Sequence, residues 1–178
     1  MHTFKKILVI NGSTRINSTN LKFIKAVSAL SAEYFSMTIF NGLTLLPHFN
    51  PDLDTDDVPE SIKEFRQQIK TADGILICTP EYAFGIPGTL KNAIDWTVSS
   101  GEFYDKPLAL ITASTSGEKA HAAFLDVLKA VGSRMSDETQ LLVSNSKTKI
   151  NADNIITDTK TSDKLMLLIA AFNSLMSY

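Results

Sequence analysis

Short apolar runs alternate with helical patterns along almost the whole chain, and this alternation constrains the fold more than any other feature. A block such as 7–10, with four consecutive apolar residues before a glycine turn, is typical of a strand buried on both faces. Five strands are predicted, at 7–10, 34–40, 74–78, 107–111 and 140–143. Apolar residues at helical spacing follow them, within 21–30, 58–72, 87–97, 120–131 and 165–175.

A strand followed by a helix, repeated about five times, predicts an α/β fold with a doubly wound parallel sheet between two layers of helices. The chain has 178 residues, which suits one domain with a sizeable core. No internal repeat or linker interrupts the pattern, so we expect 1–178 to be a single domain. Ligands of such sheets bind at the carboxyl ends of the strands, and the loops there carry the functional information.

Composition excludes several classes of protein. Charged residues make up 20% of the chain and the net charge is −2, so neither nucleic acid nor a membrane surface is expected as a partner. No apolar run is long enough for a membrane span. The single cysteine, Cys78, cannot form an internal disulfide or a zinc site, which predicts a cytoplasmic protein. Because it ends a buried strand, Cys78 is interpreted as an inert core thiol.

The loop after the first strand, 11–20, is crowded with hydroxyl and amide side chains around one arginine. Free backbone N–H groups at the start of the next helix favour an anion. Ser13, Ser18 and Asn20 add neutral donors and Arg15 adds a charged one. These donors predict a phosphate monoester as the ligand. The loop lacks the GxGxxG of a dinucleotide site and the GK[ST] of a P-loop. The alternative is a helix cap beside a surface arginine.

The loop after the third strand, 79–88, combines two aromatic residues with two prolines and two glycines. A rigid loop of this kind can wrap a flat ring and hydrogen-bond to its polar edge, with Tyr82 or Phe84 covering a ring face. The alternative is an apolar loop that packs on the domain or on a second subunit. A third loop, 113–118, has small hydroxyl residues and a glycine after strand four. The same residue types are also typical of an ordinary turn and helix cap.

Together these loops predict one crevice that holds a phosphate beside a flat ring, and FMN fits best. No metal site is expected: the four aspartates of the loop 41–57 lack the glycine and glutamate of a calcium loop. His2, His48 and His121 are scattered, so a surface or packing role is expected for each. No catalytic acid or base is therefore assigned.

Four segments of the chain resemble a known family. They are Gly12-Ser13-Thr14-Arg15 with Ser18 and Asn20, then Thr79-Pro80-Glu81-Tyr82, then 86–96, and finally Lys106-Pro107. With them the chain resembles the NAD(P)H-dependent FMN reductases of flavodoxin-like fold, which include quinone, azo-dye and chromate reductases. The resemblance implies a sheet order of 2-1-3-4-5 and a homodimer or homotetramer, with the helix at 90–96 in the dimer interface.

The resemblance also implies roles for individual residues. Ser13, Arg15, Ser18 and Asn20 would hold the FMN phosphate, and Pro80-Glu81-Tyr82 would lie along the ribityl chain and the isoalloxazine. The full set of predicted cofactor-binding residues is Ser13, Arg15, Ser18, Asn20, Pro80, Glu81, Tyr82, Ala83, Ser114 and Ser116. NADPH or NADH would reduce the flavin, and a small acceptor (a quinone, azo compound, metal oxyanion or free flavin) would take the electrons.

The chain departs from the family pattern at two places, and two alternatives to the reductase remain, the second of which these departures suggest. Ala83 stands where the family usually has an asparagine whose amide would bond the flavin, and Lys119 and Ala120 lie near the place of a usual Gly-Gly pair. One alternative is a flavodoxin-type electron carrier that exchanges electrons with protein partners. The other is a regulatory homologue that binds no flavin.

Overall fold

The computed structural model describes residues 4–177. Its sheet has five parallel strands in the order β2-β1-β3-β4-β5, which confirms the predicted order 2-1-3-4-5. The strands are β1 (Lys5–Asn11), β2 (Phe35–Ile39), β3 (Gly74–Thr79), β4 (Leu108–Ala113) and β5 (Gln140–Val143).

Helices connect the strands and close the chain. They are α1 (Thr19–Leu30), α2 (Glu60–Thr71), α3 (Gly88–Asp95), α4 (Glu118–Ala130) and α5 (Thr159–Leu175), with 3₁₀ turns at Pro51–Leu53, Asp137–Thr139 and Ser146–Thr148. Pro59 and Pro87 each lie one residue before a helix, because both have extended backbone with ψ near 140°. Within the described residues, no helix has the length and apolarity needed to cross a membrane.

The helices cover both faces of the sheet, as the strand pattern predicts. Side chains alternate between the two faces along each strand. Leu8, Ile75 and Leu110 belong to one buried cluster together with apolar residues of α2, α3 and α4. Val9 and Leu76 belong to the other, with apolar residues of α1 and α5. The result is the three-layer arrangement expected of a doubly wound sheet.

The carboxyl ends of the three central strands lie side by side. Asn11 pairs in register with Cys78, and Thr79 pairs with Thr112. The backbone N–H of Gly12 donates to the Cys78 carbonyl at 2.8 Å. A Cβ at Gly12 would lie 2.5 Å from Thr79 Oγ1, so only glycine lets the first loop approach β3 this closely.

Candidate active site

A crevice of about 160 Å³ opens at this edge of the sheet. Its walls come from the loops after β1, β3, β4 and β5. Eight of the ten predicted cofactor residues line it: Ser13, Arg15, Ser18, Asn20, Pro80, Glu81, Tyr82 and Ser114. Of the two others, Ala83 lies in the turn that follows Tyr82, and Ser116 donates its hydroxyl to Glu118 Oε2 at 2.6 Å.

The first loop folds on itself before α1 begins. The Ser13 backbone N–H donates to Asn11 Oδ1 at 3.1 Å, and Ser13 Oγ accepts from the Arg15 backbone N–H at 3.4 Å. Ser18 caps α1, accepting the Leu21 N–H at 3.0 Å. Ser13 and Ser18 are buried, whereas the Arg15 side chain is exposed. The helix cap that was an alternative for this loop is therefore present, on residues that also line the crevice.

Asn20 forms the floor of the crevice. Its amide donates to the Ala113 carbonyl at 3.3 Å, and the Cys78 thiol donates to its Oδ1 at 3.3 Å. The buried side chain thus joins the start of α1 to β3 and β4. Complete burial raises the pKa of the Cys78 thiol, as expected for an inert core cysteine.

The second loop makes a tight turn at Tyr82–Gly85. Tyr82 and Gly85 exchange backbone hydrogen bonds of 2.8 and 2.9 Å. Ala83 and Phe84, the central residues, have φ of 48° and 63°, the signs of a type I′ turn. Among the described residues, no acceptor takes the backbone N–H of Ala83 or Phe84. Two free amides therefore lie next to the half-exposed Tyr82 ring.

Glu81 connects three elements of the site. Its Oε2 accepts the backbone N–H of Ala120 at 2.9 Å, and its own N–H donates to Ser114 Oγ at 3.3 Å. Helix α4 follows Gly117, which has φ of 98° and supplies no side-chain cap. Glu81 thus takes the place of a cap from a distant loop. The glycine before α4 indicated that the helix lacks a local capping side chain, but no sequence feature pointed to Glu81 as its replacement.

Lys119, one of the two departures from the family pattern, lies on an aromatic ring. Its Nζ is 4.0 Å from the centroid of the Phe84 ring, a cation–π distance. The exposed Phe84 ring is thus in contact with a lysine of the first turn of α4. Ala120, the other residue of that departure, is buried.

Ser146 and Lys147 also line the crevice, and sequence reasoning missed both. They lie in the 3₁₀ turn after β5. The N–H groups of Asn145 and Ser146 donate to the carbonyls of Thr115 and Ser114, each at 2.9 Å. These two hydrogen bonds pair neighbouring loops, and no local sequence pattern in either loop predicts the pairing.

A second cavity, of about 370 Å³, lies on the other side of the first loop. It shares Ser13 and Arg15 with the crevice, and Phe40 and Leu43 contribute apolar side chains to its lining. Ile16, whose side chain is 87% exposed, lies at its edge. The first loop therefore separates two cavities.

The two histidines that the structure describes take a structural and a surface position. His121 lies between Thr112 and Gln140, with Nδ1 2.8 Å from Thr112 Oγ1 and Nε2 3.2 Å from Gln140 Oε1. Burial lowers the pKa of His121, so its imidazole is neutral near pH 7. His48 is exposed, and His2 lies outside the described residues.

In the loop 41–57 three of the four aspartates are exposed as expected for a solvated loop. Asp54 differs, because it forms a shielded ion pair with Arg66 at 2.8 Å. Hydrogen bonds from Ser99 and Arg66 lower the pKa of Asp54. This pair fastens the acidic loop to α2.

The donors in the crevice fit the phosphate end of FMN. Buried hydroxyls from Ser13 and Ser18 lie beside the Arg15 cation, which are the groups that bind a phosphate monoester. The only carboxylate among the described lining residues, that of Glu81, already accepts a hydrogen bond from Ala120. Tyr82 lines the same crevice, and the N–H groups of Ala83 and Phe84 follow it in the chain.

Comparisons with known proteins agree with this site. The family model described as NADPH-dependent FMN reductase matches residues 5–148. A 2-hydroxy-1,4-benzoquinone reductase from Burkholderia sp. is 33% identical over 166 residues, covering 86% of each chain. An NAD(P)H-dependent FMN reductase from Pseudomonas aeruginosa is 29% identical over 177 residues, covering 93% of this chain and 92% of the relative.

Solved structures give the same picture. FerB from Paracoccus denitrificans, described as a flavoenzyme NAD(P)H:(acceptor) oxidoreductase, superposes with a TM-score of 0.79 at 30% identity and 97% coverage of both chains. A flavodoxin-like protein from Agrobacterium tumefaciens, at 13% identity and a TM-score of 0.62, shares the fold. The chain therefore belongs to the NADPH-dependent FMN reductase family.

Proposed function

We propose that the protein is an NAD(P)H-dependent oxidoreductase that holds FMN in the crevice and passes two electrons from the nicotinamide to a small acceptor. One observation supports this most directly: within residues 4–177, hydroxyls beside a cation that forms no ion pair and an aromatic turn with two free amides lie at one sheet edge. Membership of the family makes FMN and NAD(P)H the cofactors. Neither the electron carrier nor the flavin-free homologue gains support from the relatives described above.

One group of residues would bind the phosphate end of the cofactor, and another would bind its ring. Bound FMN would supply the chemistry, accepting a hydride from a nicotinamide and delivering electrons to an acceptor. Ser13, Ser18 and Arg15 would bind the phosphate, with Asn20 fixing the floor beneath them. The N–H groups of Ala83 and Phe84 would donate to the polar edge of the ring, and Tyr82 would pack against it.

This arrangement needs no acid or base from a side chain. His121 is neutral and bonded on both ring nitrogens, and the Cys78 thiol is buried. Ser114 accepts the N–H of Glu81 and thereby positions the second loop. The protein's contribution is to orient the ring and to leave one face open to nicotinamide and acceptor in turn.

A quinone is the acceptor class that we propose first. The Burkholderia relative, which aligns over most of the chain, is named for a benzoquinone substrate. A Bacillus sp. relative named NADPH azoreductase is 34% identical over 116 residues, 64% of this chain. Azo compounds, metal oxyanions and free flavin are therefore the comparison substrates.

The test combines flavin binding with anaerobic reduction. FMN added to the apoprotein should lose fluorescence on binding, and NADPH or NADH should then bleach its absorbance near ~450 nm. The double variant Ser13→Ala/Arg15→Ala should bind FMN at least about tenfold more weakly, because it loses a hydroxyl and a cation. Lys25→Ala, which removes an exposed cation from α1 away from the crevice, serves as the control.

Each alternative has its own outcome. Bound FMN that neither nicotinamide bleaches would support the electron carrier. A wild-type protein that takes up no FMN would support the flavin-free homologue. Unchanged FMN affinity in the double variant would place the phosphate elsewhere.

We further propose that 1–178 is a single FMN-binding domain, that it forms a homodimer or homotetramer and that it works in the cytoplasm. Exposed apolar side chains such as Phe84, Val98 and Tyr104 support self-association, since a second subunit would cover them. The apolar face of α3 is buried within the chain, so an interface there would use its other side. Sedimentation velocity measures the assembly, and a monomer at micromolar concentration would contradict it.

A further inference from the structure

We propose that Lys147 is a second cation for the FMN phosphate, acting together with Arg15, and that it makes the crevice prefer FMN over riboflavin. This inference rests on the proposed function, in which FMN occupies the crevice. It adds a residue that lies outside the three loops expected to bind the flavin.

The backbone fixes the segment that carries Lys147. Asn145 has φ of 52°, in the left-handed region that asparagine tolerates. This turn directs the chain back along the third loop, where Asn145 and Ser146 donate to Thr115 and Ser114. Ser144 Oγ adds a hydrogen bond of 2.9 Å to the Ser116 carbonyl.

The next residue, Lys147, therefore starts from an anchored position. Ser146 is 2% exposed, and the Thr148 N–H closes the 3₁₀ turn on the Asn145 carbonyl at 3.0 Å. Lys147 lines the same crevice as Arg15 and Ser13. Because its backbone is held on both sides, only the lysine side chain itself must become ordered when it meets a ligand.

The charges around the crevice leave Lys147 available to an anion. Within residues 4–177 neither Lys147 nor Arg15 forms an ion pair. Lys149, two residues further on, is 3.9 Å from Asp158. Glu81, the carboxylate among the described lining residues, is hydrogen-bonded to the start of α4.

Two cations that form no ion pair within residues 4–177 match the charge of the predicted ligand. A phosphate monoester carries close to two negative charges at pH 7. Arg15 alone would balance about half of that charge. With Lys147 the crevice can neutralise the phosphate, and this attraction is absent for riboflavin, which has the same ring and sugar chain but no phosphate.

The experiment measures two dissociation constants. Apoprotein is titrated with FMN and with riboflavin, and binding is followed by quenching of flavin fluorescence at low and at high salt. Lys147→Ala should weaken FMN binding about tenfold or more, since charge-assisted hydrogen bonds are the strong ones. Riboflavin affinity should stay the same, and the salt dependence of FMN affinity should become shallower because one screened ion pair is lost.

Three further variants separate charge from structure. Lys147→Gln keeps most of the side chain without its charge and should behave like Lys147→Ala. Lys147→Arg should restore most of the FMN affinity. Lys149→Ala removes a nearby cation that already has a partner and should leave both constants unchanged.

Two results would overturn the inference. Lys147→Ala and Lys147→Gln could leave FMN binding unchanged in a protein whose wild type binds FMN, or they could weaken FMN and riboflavin equally, which a merely structural role would produce. A wild type that binds neither flavin would instead overturn the proposed function. The two failures are thus distinguishable.

Discussion

Ala83, like Phe84 beside it, has a left-handed backbone that residues with a Cβ rarely adopt. In the type I′ turn at 82–85 it has φ of 48°, where side chains with a Cβ are strained and glycine or asparagine is preferred. The resemblance predicts asparagine here as a flavin ligand. The structure supplies a second reason for that residue, since asparagine also tolerates the left-handed backbone. Ala83 gives up both advantages.

Replacing Ala83 with glycine should therefore stabilise the protein. We expect Ala83→Gly to raise the free energy of unfolding by about 1 kcal/mol, because relief of the left-handed strain exceeds the entropy that glycine adds to the unfolded chain. Urea unfolding of the apoprotein measures the change. Ala122→Gly, on the exposed side of α4, is the matched control and should lose about 1 kcal/mol. Equal losses in both variants would contradict the left-handed turn.

At the scale of elements, α4 depends on a side chain that is far away in sequence. Gly117 precedes the helix without a capping side chain, and Glu81 from the second loop accepts the Ala120 N–H instead. The same residue bonds Ser114 through its backbone. One residue therefore stabilises a helix start through its carboxylate and joins two loops of the crevice through its backbone N–H.

Loss of that carboxylate should cost about as much as the loss of a helix cap. Glu81→Ala should lower the free energy of unfolding by about 1 kcal/mol, measured by urea unfolding without flavin. Glu81→Gln should lose less, since its amide oxygen still accepts the N–H. Glu33→Ala, an exposed glutamate before β2, is expected to change stability little. If Glu81→Ala unfolds at the same urea concentration as wild type, the hydrogen bond between Glu81 and Ala120 does not stabilise the protein.

For the whole molecule, binding in the crevice should be coupled to folding. The crevice is built from loops after four of the five strands, so it exists only when the sheet is complete. A ligand that binds the folded state alone stabilises it by about 2.7 kcal/mol at 100 times its dissociation constant.

FMN should accordingly raise the melting temperature by about 5–10 °C at that concentration, since ~1 kcal/mol shifts a chain of this size by about 2–4 °C. Differential scanning calorimetry with and without FMN measures the shift. Ser13→Ala/Arg15→Ala at the same FMN concentration should show a smaller one. An unchanged melting temperature at saturating FMN would mean that the flavin does not bind the folded chain.

The sequence by itself determined the elements and their order. Runs such as 74–78 and stripes such as 120–131 depend on local periodicity, which each segment carries alone. The donors of the loop 11–20 predicted a phosphate there, and the resemblance added the sheet order. Only the tertiary structure decided which loops touch. Glu81 caps α4 across 39 positions of sequence, and the pairing of Ser146 with Ser114 brings Lys147 into the crevice. These contacts arise because parallel strands place distant loops side by side, so no local pattern records them.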